Sequence, residues 1–332
     1  MLVLSQAEVR QTLSMTEAIS VVEGAYAAYS AGLAEIPVRT QVPVGAHAGI
    51  ALFMPAYVGA VSSQDDEALG VKIVSVFPNN LQRGLPTILG LVVMLDPVTG
   101  RPLAAMEASY LTALRTGAAS GVATKYLARS DASRVAVFGA GVQARTQLEA
   151  VAAVRRLEHV YIFDVEAGRA AIMGEEMKSK LGPVGIEVAE SPAQALQGRD
   201  IIITATTAAQ PVFPAAQCPP GVHINAIGAF TPKMQEVPAE IIKGAGKVVV
   251  DSREAAWAEA GDLIIPLQAG VITRERVDAE IGEIILGRKK GRENPEEVTV
   301  FKAVGIAALD AAVGRAIFQR AREMGLGTEV EL

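Results

Sequence analysis

Three cations stand where little else is polar: Arg39 in Ile36-Pro37-Val38-Arg39-Thr40, Lys72 in Gly70-Val71-Lys72-Ile73-Val74-Ser75, and Arg115 in Ala113-Leu114-Arg115-Thr116-Gly117-Ala118. Lys72 interrupts a run of β-branched residues. An unpaired ammonium is costly to bury there, so it either points outward or has a carboxylate to meet. Arg115 poses the same question, and the adjoining Thr116 and Gly117 are small enough for a ligand to come close. Two guanidinium groups can grip a carboxylate bidentately. A lysine beside them has its charged form disfavoured, which suits it to exchange a proton with an amine or imine. The competing reading is three separate surface cations.

A second group has the spacing of a phosphate cradle. Val135-Ala136-Val137-Phe138 runs into Gly139-Ala140-Gly141-Val142-Gln143-Ala144, a strand entering a helix through GxGxxA. In that pattern Gly139 permits the tight turn, Gly141 admits a pyrophosphate to the backbone, and Ala144 allows close helix–strand contact, while the helix N-terminus at Val142 and Gln143 faces the phosphates. Asp164 ends the next strand, 23 residues beyond Gly141. There it can accept from ribose hydroxyls and repel a ribose phosphate, which predicts NAD, with NADH preferred over NADPH. The other reading of Asp164 is a solvated strand-end acid. Later apolar runs end at Thr204, Thr206, Ile227 and Gly228. These are candidate cofactor liners if ligands sit outside the carboxyl ends of parallel strands, and ordinary turn residues otherwise.

The elements that must position these groups follow from periodicity. Ser14-Met15-Thr16-Glu17 has capping-box spacing ahead of apolar residues at Ile19, Val22, Tyr26 and Tyr29, so a helix is expected over 14–32. Residues 71–76 and 88–95 read as strands, with Asp96-Pro97-Val98-Thr99-Gly100 as a turn, giving an α+β first domain. From Ser109 the pattern is helical to about 127. Then strands RVAVF, HVYIF, GIEVA, DIIITAT, VHINAIG and KVVVD alternate with helices, the signature of βαβ units and a doubly wound parallel sheet of Rossmann type. One more strand, VTVF, precedes an Ala-rich helix over about 303–323, expected to pack on the first domain. The expected division is 1–118 plus 303–332 for the first domain, and 119–302 for the NAD-binding one.

Composition narrows the partners. The chain of 332 residues has room for two cores, carries a net charge of −6 and has no dense block of Lys or Arg, which gives little support to a nucleic-acid partner. No apolar run reaches the length of a membrane span, and MLVLSQAEVR lacks the pattern of a signal peptide, so a cytoplasmic protein is expected. A lone Cys218 with dispersed His47, His159 and His223 leaves no metal-site spacing.

Several of these segments together resemble the ornithine cyclodeaminase and mu-crystallin family: Lys72 through Phe77-Pro-Asn-Asn, Gly84-Leu-Pro-Thr, Asp96-Pro-Val-Thr-Gly100, Leu114-Arg-Thr-Gly-Ala-Ala-Ser, Val137-Phe-Gly-Ala-Gly-Val-Gln-Ala, Ile224-Asn-Ala-Ile-Gly and Thr299-Val-Phe-Lys-Ala-Val-Gly. The match covers nearly the whole chain in order. The resemblance implies a homodimer, with the dimerisation and substrate domain formed by the N-terminal part plus the C-terminal helix. It also implies that Arg39, Lys72 and Arg115 are the substrate-carboxylate and catalytic cations, with Thr116 near the cofactor. The family's chemistries include ammonia-releasing cyclodeaminases with catalytic NAD, cyclic ketimine reductases, alanine dehydrogenases and a thyroid-hormone-binding crystallin.

Departures from the family choose among these. Cyclodeaminases carry an amine-handling aspartate after the Asn-Ala-Ile-Gly strand, where this chain has Phe230, and an acid before Met54-Pro55, where it has Ile50-Ala-Leu-Phe53. Loss of both acids predicts a reductase acting on a ready-formed imine, which needs a hydride and one proton but nothing to steer a distal amine. The expected reaction is NADH-dependent reduction of a small α-imino acid such as Δ1-pyrroline-2-carboxylate, with ornithine cyclodeaminase and alanine dehydrogenase activity as the alternatives. Ala303 replaces a serine common in the family, a change with no account in the sequence.

Overall fold

Ser14 and Glu17 close a reciprocal capping box ahead of a helix, as their spacing predicts. A second box that the pattern reading passes over, Ser5 with Glu8, starts a shorter helix before it. The computed structural model describes residues 1–61 and 67–331. The chain opens with β1 (Leu2–Leu4), α1 (Gln6–Thr12), α2 (Met15–Ser30), β2 (Ala34–Glu35), β3 (Thr40–Val44) and β4 (Gly49–Val58). It continues with β5 (Ala68–Val76), β6 (Ile88–Leu95), β7 (Pro102–Glu107) and α3 (Ala108–Leu127). Next come β8 (Arg134–Phe138), α4 (Val142–Val154), β9 (His159–Phe163), α5 (Ala167–Leu181), β10 (Gly185–Val188), α6 (Pro192–Leu196) and β11 (Ile201–Thr204). After these lie β12 (His223–Ala226), α7 (Ala239–Gly244), β13 (Lys247–Val250), α8 (Arg253–Glu259), α9 (Gly261–Gln268), β14 (Ala279–Glu280) and α10 (Ile281–Ile285). The last elements are β15 (Thr299–Lys302), α11 (Ala307–Met324) and β16 (Thr328–Glu329).

Two compact units result: Met1–Arg115 with Ile306–Leu332, and Thr116–Gly305. The divisions lie three residues from those expected at 118/119 and 302/303. The first falls inside the unbroken helix α3, where composition carries no boundary signal. The last helix also starts later than expected, at Ala307 rather than about 303. Asp251 holds the backbone N–H groups of Val304 and Gly305, and Gly305 takes φ +88°, which a helix cannot absorb.

The first unit is a sheet of order β16-β1-β7-β6-β5-β4-β2, with β3 also paired to β4. Its strands are antiparallel except for the parallel pair β1 and β7. Helix α11 lies along β4, β5 and β6 and against α2. Its stripe of Ala307, Asp310, Gly314, Ile317, Phe318 and Ala321 is buried, as apolar spacing at i, i+3 and i+4 requires.

The second unit is an eight-stranded sheet, parallel throughout, of order β10-β9-β8-β11-β12-β15-β13-β14. Both faces are covered, which explains why its strands read as continuous apolar runs. Val135, Val137, Val160, Ile162, Ile201 and Ile203 enter one core, and the alternating Phe138, Ile202, Ile224, Val248, Val250 and Val300 enter the other. Strand order reverses beside β8, so the β8/β11 junction is the switch point at which open parallel sheets take their ligands. Parallel register aligns Phe163, Phe138, Thr204, Ala226, Lys302 and Val250 in one row. The residues following that row form the carboxyl edge.

Candidate active site

Within the first unit, Lys72 takes the second of its two expected arrangements: it is 3 % exposed and meets a carboxylate. Its register neighbours are Met54 on β4 and Val92 on β6, which offer it no charge. The partner is Asp310, in the first turn of α11. Lys72 Nζ donates to Asp310 Oδ2 at 2.6 Å, and Arg115 Nε donates to Asp310 Oδ1 at 3.0 Å. Burial pushes the Lys72 amine down to about 8. Asp310 opposes that shift, while Arg115 and, more weakly, Arg39 add to it. Two buried cations therefore share one buried acid, with the Arg39 charge close enough to be felt. Among the described residues Lys72 and Arg115 together are short of one negative charge, which is what an α-carboxylate supplies.

Asp310 was absent from the sequence expectations. It lies 238 residues from Lys72, so no local pattern joins them. A signal nonetheless exists, since it is an acid set on an apolar helical stripe, where an unpaired charge could not remain.

Within the second unit, the glycine turn has the form its sequence predicts. Gly139 takes φ +98°, and a Cβ there would lie 2.6 Å from the Ala205 carbonyl oxygen. Gly141 caps the N-terminus of α4. A Cβ on Gly141 would meet nothing nearer than Arg169 Nη2, 3.9 Å away, so the backbone there is open to a ligand. Val142 is exposed beside it, and the buried Gln143 Oε1 has no hydrogen-bond partner. Asp164 stands just past β9, its Oδ2 accepting from the Ala140 N–H at 2.7 Å and its Oδ1 from the Glu166 N–H at 2.9 Å. An open backbone at a 13-residue helix start, an orphaned amide oxygen and an acid one strand away fit a dinucleotide: pyrophosphate at Gly141–Gln143 and ribose at Asp164.

The remaining candidates occupy the same edge with differing roles. Thr206 and Gly228 follow β11 and β12, and Ile227 is buried between β12 and Gly228. Thr204 does not line the edge: it is wholly buried, and its hydroxyl donates to Glu236 at 3.0 Å. Thr116 lies on α3, one residue beyond Arg115. Phe230 is 47 % exposed, just past the segment tied by Glu236. Ala303 follows the buried Lys302, and nothing in the structure explains its replacement of serine.

The Ornithine cyclodeaminase/mu-crystallin family profile matches residues 1–325. The chain belongs to that family. A Δ1-pyrroline-2-carboxylate reductase of Bacillus cereus is 43 % identical over 331 residues, 100 % of each chain. Among solved structures, the Thermococcus litoralis Δ1-pyrroline-2-carboxylate reductase in complex with NADH and L-proline superposes with a TM-score of 0.93 at 45 % identity, covering 99 % of this chain and 100 % of that one. An archaeal alanine dehydrogenase dimer with bound NAD gives a TM-score of 0.91 at 38 % identity, covering 99 % and 98 %. Family membership thus joins a dinucleotide-type edge and a cation cluster in one chain, each supported by its own geometry.

Proposed function

We propose that this chain is an NADH-dependent reductase of a small α-imino acid, a cyclic ketimine such as Δ1-pyrroline-2-carboxylate, which it converts to L-proline. The observation that carries the proposal is the charge surplus around Asp310, which among the described residues leaves Lys72 and Arg115 one anion short. Full-length similarity to relatives named for this reaction supports it.

Arg115 and Arg39 hold the substrate carboxylate, which takes the place that a second acid would otherwise fill. Lys72, with its amine lowered to about 8, gives a proton to the imine nitrogen near neutral pH and is steadied by Asp310 as its charge changes. Bound NADH supplies the hydride that reduces the α-carbon. Gly141, Val142 and Gln143 seat the pyrophosphate and Asp164 the adenosine ribose. The Asp164 charge favours NADH over NADPH; Arg169, paired with Glu166 at 3.5 Å, is the cation that would soften this preference.

The working unit is a homodimer, located in the cytoplasm with the NADH pool it consumes. Val42, Phe53, Leu81, Ile88, Leu89 and Leu91 expose apolar side chains in the first unit, more than an isolated surface favours, and one of the similar structures is described as a dimer.

NADH consumption measured with five- and six-membered cyclic ketimines, and with 2-oxo acids plus ammonia, tests the proposal. Turnover should be fastest on a cyclic ketimine. Ammonia release from ornithine with catalytic NAD would instead identify a cyclodeaminase, and exclusive turnover of pyruvate with ammonia an alanine dehydrogenase.

A further inference from the structure

Glu236 lies on the connection between β12 and α7, is wholly buried, and uses both carboxylate oxygens on the carboxyl edge of the parallel sheet. Oε1 accepts from the Thr206 N–H at 2.6 Å and the Thr206 hydroxyl at 2.7 Å. Oε2 accepts from the Thr204 hydroxyl at 3.0 Å, the Gly228 N–H at 2.7 Å and the Ala229 N–H at 3.0 Å. One side chain thus ties the turn after β11 to the turn after β12. These turns have no room to spare: a Cβ on Gly228 would fall 2.2 Å from the Thr206 carbonyl oxygen.

Glu236 is itself held. Asp262 Oδ1 accepts the backbone N–H groups of Glu236 at 2.7 Å and Val237 at 2.9 Å, and Asp262 Oδ2 lies 3.0 Å from Lys302 Nζ, both side chains being inaccessible. Lys302 ends β15 in the same register row as Thr204 and Ala226. Asp251, just past β13, accepts from Val304 and Gly305 and so fixes the turn that follows Lys302. A continuous buried chain of side chains therefore sets the turns after β11, β12 and β15.

With pyrophosphate at the β8 turn and adenosine ribose at β9, the other half of a dinucleotide extends over β11, β12 and β15, on the far side of the switch point. We propose that Glu236 is a positioning residue for the nicotinamide half of the cofactor, and that Asp262 and Lys302 aim it. This rests on the reading of the second unit as an NAD site. The role needs an acceptor at both oxygens. Glutamine must turn its NH2 either to the Thr206 N–H or to the N–H groups of Gly228 and Ala229, so it forces donor against donor whichever way it lies.

Calorimetric titration of Glu236→Gln with NADH and with ADP tests the role, because ADP carries the adenosine and pyrophosphate but neither the second ribose nor the nicotinamide. The NADH Kd should rise about 10- to 100-fold, and the ADP Kd should stay within about twofold of wild type. Thr206→Val removes one of the five contacts and should raise the NADH Kd about fivefold, again sparing ADP. This variant decides the matter if Glu236→Gln does not fold. Equal losses for NADH and ADP would reduce Glu236 to general support of the fold, and unchanged NADH binding in both variants would overturn the proposal outright. A wild-type chain that binds neither ligand would remove the NAD reading itself.

Discussion

Among the described residues two lysines are buried, one in each unit, and the company they keep is opposite. Lys72 and Arg115 divide a single acid, Asp310, and the Arg39 charge is close enough to lower the Lys72 amine further. Lys302 faces Asp262 directly, with Asp251 and Glu236 close behind it. That second cluster is complete within the chain. Its excess of acids is met by backbone N–H groups: Thr206, Gly228 and Ala229 on Glu236, Glu236 and Val237 on Asp262, and Ser252, Val304 and Gly305 on Asp251. Burial also raises the affinity of Glu236 and Asp251 for a proton. Ionic burial alone therefore does not mark a binding site. Among the described residues the Lys72 cluster differs in kind: Lys72 and Arg115 meet one acid, Asp310, and that imbalance is the feature that points to a ligand.

The sharpest way to break the contrast is to remove each lysine in turn. Lys72→Met keeps the packing of the stem and should lower kcat/KM for ketimine reduction by about 10²- to 10⁴-fold, with NADH affinity and the unfolding midpoint close to wild type. Near-normal turnover would take Lys72 out of the mechanism. In the wild type, kcat/KM should fall as pH rises through about 8, where Lys72 loses the proton it donates, and this limb should vanish in Lys72→Met. Stability should move the other way. The folded-state value lies below the ordinary lysine value of 10.5, so between about 8 and 10.5 the unfolded chain binds the extra proton, and the Lys72 contribution to stability rises with pH across that window.

Lys302→Met should chiefly unfold. Stranding Asp262 without its cation costs about 3–5 kcal/mol in urea-induced unfolding, and Lys302→Met with Asp262→Asn should recover most of it, because the asparagine oxygen can still accept from Glu236 and Val237. A single variant as stable as wild type would mean that the buried pair is dispensable.

Arg115→Ala should weaken substrate binding by about 1.5–3 kcal/mol and leave NADH affinity unchanged. An equal loss of cofactor affinity, read by NADH fluorescence, would move Arg115 to the dinucleotide. The smallest effect is expected from Asp164→Ser, which should narrow the gap between NADH and NADPH without abolishing use of either. A wild type that prefers NADPH would refute the ribose assignment.

What the sequence made legible was local. The capping box at Ser14, the glycine turn at Gly139–Gly141 and the alternation of β8 through β13 each depend on residues a few positions apart, and each forms as its spacing predicts. The three cations were visible because charge in an apolar run is anomalous. The acid shared by Lys72 and Arg115 was not, since Asp310 reaches them only once α11 lies along β5. Glu236 was harder still. Nothing in Thr231-Pro232-Lys233-Met234-Gln235-Glu236 marks one residue over another, and its importance lies in five hydrogen bonds that tertiary structure alone assembles. Thr204 shows the converse error, a residue at the right strand end whose side chain turns inward to that glutamate.

The first unit is discontinuous in sequence, its sheet and cations coming before Thr116 and its acid after Gly305. On a ribosome the second unit is thus fully synthesised while the first is still waiting for α11, and for β16, which pairs with β1. Until then Lys72 and Arg115 have no Asp310 and must stay hydrated, so the sheet around Lys72 cannot close early. Order of synthesis therefore completes the cation cluster only after the whole second unit has emerged. Release of a nascent chain before Asp310 emerges should leave the first unit open to proteases while the second already resists them.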